Sequence, residues 1–198
     1  YRRKEVFPLR EIVAPLLAAD SEAHHVVMPA VQPFSPSSDG PGPYLEGGDI
    51  ICYQNHLFVG ESDIASNRAG TDWLADYIEP FGYQVHRMPM HGSILHLLGI
   101  MVLVSEGVLL LYRDELKEPL PAPLSDWDVI ELTEAEALLF ATVGVSLDDK
   151  RYVIPKGVGR VCDELARRGV EPIEIDYDHV SHWGGCVSCS THAIWRDP

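Results

Sequence analysis

Basic residues are scarce. The 198-residue sequence sets 15 Lys and Arg against 30 Asp and Glu, a net charge of −15. A surface of that sign repels a phosphate backbone, which argues against a nucleic-acid partner. The same field draws in small cations, although any acidic soluble protein carries a comparable balance. Long apolar runs are missing as well. The longest, residues 94–104, is interrupted by His96 and Gly99. It is far short of the roughly 18 residues that suggest a membrane helix, so it reads as a buried strand and no membrane partner is expected. Cysteine is sparse, at Cys52, Cys162, Cys186 and Cys189. A chain with its own core needs no disulfide staples, so a reducing cytoplasm is the expected location. Cys52 and Cys162 sit in apolar pattern and read as core thiols. An initiating methionine is absent at Tyr1, and Glu5, Arg10 and Glu11 interrupt any apolar stretch behind the basic start. That pattern predicts no signal peptide, and a chain continuing upstream of Tyr1.

What is present is a mixture of helix and strand signals. Apolar spacing predicts helices over residues 4–17, 68–78 and 158–168, and a short one opened by the Thr133-Glu134-Ala135-Glu136 capping box. Strands are expected at 24–28, 49–53, 56–59, 84–88, 94–104, 108–112, 128–132, 145–147, 151–154 and 172–175. Gln54-Asn55 and Asp148-Asp149 are the hairpin turns, and the Pro-, Ser- and Gly-rich residues 33–43 are loop. The order β-β-α-β recurs about twice, with a period of about 90 residues. The fold class is α/β, and residues 1–198 form a single domain.

Three chemistries compete for the tail, His182-Trp183-Gly184-Gly185-Cys186-Val187-Ser188-Cys189-Ser190-Thr191-His192. His182, Cys186, Cys189 and His192 are zinc-ligand types, but all lie within eleven residues, whereas structural zinc sites bring two pairs together across a longer loop. Cys186 and Cys189 have thioredoxin-like spacing, but that chemistry needs a long helix behind the reactive thiol, and the chain ends nine residues after Cys189. The third reading is one nucleophilic cysteine, Cys189, beyond the flexible Gly184-Gly185. Such a nucleophile needs a base and an orienting group from elsewhere. His96, inside an apolar run, and Asp49, after Gly47-Gly48, are candidates. Taken alone, His96 reads equally as a satisfied core residue and Asp49 as a plain turn.

Their order along the chain adds information. Glu46-Gly47-Gly48-Asp49, then Val59-Gly60-x-Ser62, Ser66-Asn67-x-x-Gly70-x-x-Trp73-Leu74, His96-Leu97, Trp127-Asp128 and finally Gly184-Gly185-x-x-x-Cys189 resembles the guanidino-group-modifying enzymes. These are the amidinotransferases, arginine deiminases and dimethylarginine dimethylaminohydrolases, and the resemblance covers nearly the whole chain. It implies a pentein, a propeller of ββαβ units, of which this chain would supply about three of five. The chain would then be the carboxyl-terminal part of a catalytic domain, with Arg2-Arg3-Lys4-Glu5 similar to an internal amidinotransferase segment.

The resemblance also implies a site and a reaction. Cys189 would attack the guanidinium carbon of arginine or a similar small molecule, forming a thiouronium intermediate. His96 would move protons and Asp49 would accept guanidinium N–H groups. No cofactor and no metal is required, and a homo-oligomer stays open. The leading reading is amidino transfer to an acceptor amine. The rivals are hydrolysis to citrulline and an inactive guanidino-binding homologue. The sequence departs from the family at Leu98, where most members carry Asp, at Cys186 in place of a third glycine, and at Ser188, often His or Arg.

Overall fold

A computed structural model describes residues 42–191, together with Pro15 and Ala19. The strand expected at 24–28 lies outside the described residues. So does the helix expected at 4–17, apart from Pro15.

The described residues form three three-stranded sheets of one topology. The first holds β1 (Ile50–Tyr53), β2 (His56–Glu61) and β3 (Gln84–Pro89). The second holds β4 (Met101–Ser105), β5 (Val108–Leu111) and β6 (Asp128–Glu131), and the third β7 (Val145–Asp148), β8 (Arg151–Pro155) and β9 (Glu171–Ile175). In each, the first two strands are an antiparallel hairpin and the third pairs parallel to the second. A parallel return needs a crossover. Helix α1 (Arg68–Ile78) provides it in the first sheet, and a later helix, Gly159–Arg167, in the third. In the second sheet the crossover carries two 3-10 turns, Arg113–Glu115 and Leu124–Asp126. The mixed α/β class stands, and among the described residues the three-stranded unit occurs three times where the periodicity suggests about two. Sequence periodicity skips the middle copy because its crossover has no amphipathic helix.

Central strands explain the continuous apolar runs. In β5, Leu110 packs towards the third sheet with Tyr152, Ile154 and Val161, while Leu109 and Leu111 face the first sheet with Phe58, Met88 and Ile100. A strand buried on both faces loses the polar-apolar alternation of a surface strand. Each fully buried leucine contributes about 1.5–3 kcal/mol of transfer free energy. In the first sheet, Leu57 and Val59 take the opposite face and pack under Leu74 of α1.

Two expectations need correction. Residues 94–104 are not one strand: the chain turns through Leu97–Gly99 before β4 begins. The turn is closed by Gly99 N–H donating to the His96 carbonyl and Ile100 N–H donating to the Leu97 carbonyl. Leu97 N–H is diverted to a carboxylate 48 residues away. Cys52 is not a core thiol. Ile51 faces the core, and alternation puts Cys52 outside, where it is exposed.

Short-range signals fared better. The Thr133 capping box forms at the start of α2 (Glu134–Leu138), and Gly159–Arg167 is α3. Glu136 of that box also binds Arg160 of α3, at 2.8 and 2.6 Å. Arg160 holds the Glu136 carboxyl down at about 2, helped by Thr133 against a modest desolvation cost. A depressed folded value gives stability that is present above the ordinary 4.5 and lost as pH falls towards about 2. Glu136→Gln is therefore expected to lower stability at pH 7 by about 1 kcal/mol or less. Thermal melts should show the gap to wild type closing across that acid window.

Candidate active site

Asp49 sits at the end of a 3-10 turn, Gly47–Asp49, that leads into β1, and its side chain is only 1% exposed. One carboxylate oxygen accepts from Ser66 N–H at 3.1 Å and Ser66 Oγ–H at 2.6 Å. The other accepts from Leu97 N–H at 2.9 Å. Ser66 Oγ in turn accepts from Glu46 N–H at 2.8 Å. One carboxylate thus clips together the turn before β1, the loop after β2 and the turn that carries His96. Burial pushes the Asp49 carboxyl up, while the bonds from Ser66 and Leu97 and the nearby His96 offset part of that rise.

Two glycines make the approach possible. A Cβ on Gly48 would lie 2.7 Å from His96 Nδ1, and one on Gly60 would lie 2.9 Å from Asp49 Oδ1. The imidazole rests against the backbone of the Gly-Gly step, and any larger residue there would displace it.

His96 Nε2 lies 2.7 Å from Glu46 Oε2, and both side chains are about a quarter exposed, at 21% and 26%. This carboxylate, not Asp49, meets the imidazole. Asp49 was expected to face a substrate, but its acceptors are turned to protein donors and sealed from solvent. The Glu-Gly-Gly-Asp stretch thus carries two acids with different contacts: Asp49 binds backbone and Ser66, and Glu46, not singled out from the sequence, meets His96.

A second acid supports the same turn. Glu115 is 3% exposed and accepts from Ser93 N–H at 2.7 Å, from Gly92 N–H and from the Ser93 hydroxyl. It orders the loop that runs into His96. In sequence it stands in a charged stretch, Arg113-Asp114-Glu115-Leu116-Lys117, which looks like a solvated surface.

Cys189 lies in a 3-10 turn, Ser188–Ser190, and is exposed. The turn is fixed to the third sheet. Ser188 N–H donates to the Val143 carbonyl at 3.1 Å, and Cys186 and Val187 are buried with Val143. Among the described residues, no hydrogen bond links Cys189 to His96, Glu46 or Asp49. His96 and Asp49 are thus brought together by backbone contact, and Cys189 is held on the third sheet. A cavity of about 570 Å³ opens beside the loop after β2, lined by residues including Glu61, Asp63, Arg68 and Lys117. Its lining contains none of the three.

No protein-family model matches the chain. It is 27% identical over 154 residues to YkgA, an uncharacterised protein of Bacillus subtilis, covering 77% of this chain and 52% of that one. It is 26% identical over 168 residues to N(G),N(G)-dimethylarginine dimethylaminohydrolase of Pseudomonas aeruginosa, covering 83% of this chain and 63% of that one. A structure of the Pseudomonas dimethylarginine dimethylaminohydrolase with citrulline superposes with a TM-score of 0.57 at 25% identity, over 67% of this chain and 49% of that one. The amidinotransferase SxtG of Microseira wollei, from saxitoxin biosynthesis, superposes over 100% of this chain and 64% of its own, with a TM-score of 0.76 at 19% identity. The chain therefore spans between half and two thirds of the length of these curated relatives. Among the described residues, no helix is long and apolar enough to cross a membrane. The chain is thus similar in sequence to a dimethylarginine dimethylaminohydrolase and shares its fold with that enzyme and with an amidinotransferase, a likeness to the guanidino-group-modifying superfamily.

Proposed function

We propose that the chain carries the C–N bond-cleaving centre of a guanidino-group-modifying enzyme, working through a thiouronium intermediate on Cys189. The observation that carries this reading is the 2.7 Å pair of His96 Nε2 and Glu46 Oε2, seated on the junction built by Asp49. A guanidinium carbon is a poor electrophile, and its amine leaves only if protonated. His96 supplies that proton, then removes one from the incoming nucleophile. Glu46 stabilises the imidazolium that gives the first proton and is regenerated when the second is taken. Asp49 positions rather than touches: it holds the turn in which His96 sits. Neither step calls for a metal or organic cofactor.

Two second half-reactions remain distinct. Sequence identity with the dimethylarginine hydrolase favours water as acceptor and citrulline as product. Amidino transfer to an amine, the leading reading of the sequence, is compatible with the fold that the whole of this chain shares with part of an amidinotransferase. Incubation with arginine or dimethylarginine, with and without an acceptor amine, separates them. Citrulline at full rate without acceptor supports hydrolysis. Ornithine plus a new guanidino compound, formed only with acceptor, supports transfer. No turnover in either arm, by a chain that still binds arginine, would leave the inactive homologue.

Glu46→Gln keeps the shape of the side chain and removes its charge. The expected result is a fall in kcat of about 100-fold with a much smaller change in KM, the signature of a group acting on proton transfer. Steady-state kinetics measures it, and an unchanged kcat would remove Glu46 from the mechanism.

A further inference from the structure

Two thiols share one turn in the tail. Cys189 N–H donates to the Cys186 carbonyl at 3.1 Å, and Val187 between them is helical at φ −54°, ψ −52°. A four-residue turn keeps its end Cα atoms within about 7 Å. Disulfides span Cα separations of roughly 4.4–6.8 Å, so a turn of this kind holds the two residues at about the separation that a bridge spans. Both cysteines are free. Their surroundings are opposite: Cys189 is exposed, whereas Cys186 is 0% exposed and packed with Val143 and Val187. Burial pushes the Cys186 thiol up, and the charge of the neighbouring Cys189 acts in the same direction, so the two sulfurs sense each other. Cys52 stands on β1 and Cys162 is buried with the core between the second and third sheets.

We propose that Cys186 and Cys189 form a reversible redox modification site, in which a peroxide oxidises Cys189 and Cys186 closes a disulfide onto it. In the first step the Cys189 sulfur attacks one peroxide oxygen. The O–O bond breaks, an S–O bond forms, and the thiol becomes a sulfenic acid with release of one water. In the second step the Cys186 sulfur attacks the Cys189 sulfur. The S–S bond forms, the S–O bond breaks, and the departing hydroxide takes the Cys186 proton as a second water. Two thiols lose two electrons, and hydrogen peroxide is reduced to two waters. The exposed sulfur meets the oxidant and the sheltered one resolves it. The bridge stops further oxidation of Cys189 to the irreversible sulfinic state. That it also switches the enzyme off rests on the reading of Cys189 as nucleophile; the bridge itself does not.

The sequence makes the test direct. No Lys or Arg lies between Arg168 and Arg196, so trypsin releases both cysteines on one peptide. The full chain is treated with a few equivalents of hydrogen peroxide, alkylated and digested without reduction. The expected peptide is lighter by two hydrogen atoms, and dithiothreitol restores both thiols. In Cys186→Ala, checked by circular dichroism and thermal melting, Cys189 should instead be trapped by dimedone, then become sulfinic acid, with reversible recovery down at least tenfold. A wild-type peptide that gains oxygen at Cys189 without losing two hydrogens overturns the proposal, and needs no variant to be read. A bridge without guanidino turnover would sink only the proposed function; turnover without a bridge would sink only this inference.

Discussion

Cys189→Ala is expected to lower guanidino turnover by about 10,000-fold or more, because removing a nucleophile leaves only binding and general acid–base assistance. The same substitution should abolish covalent labelling of the tail peptide by a haloacetamidine, whose amidinium mimics the substrate. The other thiols make poor substitutes for the label. Burial pushes the Cys162 thiol up to about 11, and Cys186 is fully enclosed. Cys52 is exposed and serves as an internal control for simple accessibility. Selective labelling of Cys189 over Cys52 would show that the turn directs an amidinium to that sulfur. Equal labelling of both, or turnover that survives in the alanine variant, would remove Cys189 from the chemistry and leave the inactive guanidino-binding reading in place.

What could be read from the sequence depended on range. Helix α1 has the ends that apolar spacing predicts, Arg68–Ile78, and its start is fixed locally, where the Asn67 side chain accepts from Gly70 N–H at 3.0 Å. The capping box at Thr133 and the hairpin at Gln54-Asn55 are equally local. The site is not. Glu46 meets His96 across 50 residues, and Glu115 holds Ser93 across 22. Nothing near Glu46 in the sequence distinguishes it from Asp49, since both flank the same two glycines. The distinction comes from burial: one acid is sealed under the loop after β2 and the other is left partly open. Residues 94–104 show the same limit. An apolar run has the same composition whether it is one strand or a turn followed by a strand, and here the bond from Leu97 N–H to Asp49 decides. The order of motifs points to this region without its geometry, so the contact between His96 and Glu46 is legible only in the structure.

Asp49→Ala is expected to destabilise the chain by about 3–5 kcal/mol, from orphaned donors rather than from a lost charge. Three donors, Ser66 N–H, Ser66 Oγ–H and Leu97 N–H, would lose their acceptor where almost no water reaches, and each unsatisfied group costs about 1–3 kcal/mol. Asp49→Asn retains one acceptor for Leu97 but turns an NH2 group towards the Ser66 donors, so a smaller loss of about 1–3 kcal/mol is expected. The pH dependence separates this from generic damage. The folded carboxyl lies above its ordinary 3.8 because of burial. The folded state therefore holds the proton more readily than the unfolded chain. The stability linked to that proton is complete below 3.8 and is lost as pH rises through the folded value. The advantage of Asp over Asn should accordingly be larger near pH 4 than at pH 7, measured by denaturant unfolding at both. Because the turn with His96 hangs on this carboxylate, Asp49→Asn should also reduce turnover while leaving haloacetamidine labelling of Cys189 intact. A constant stability gap with unchanged turnover would mean that the junction neither titrates nor positions His96.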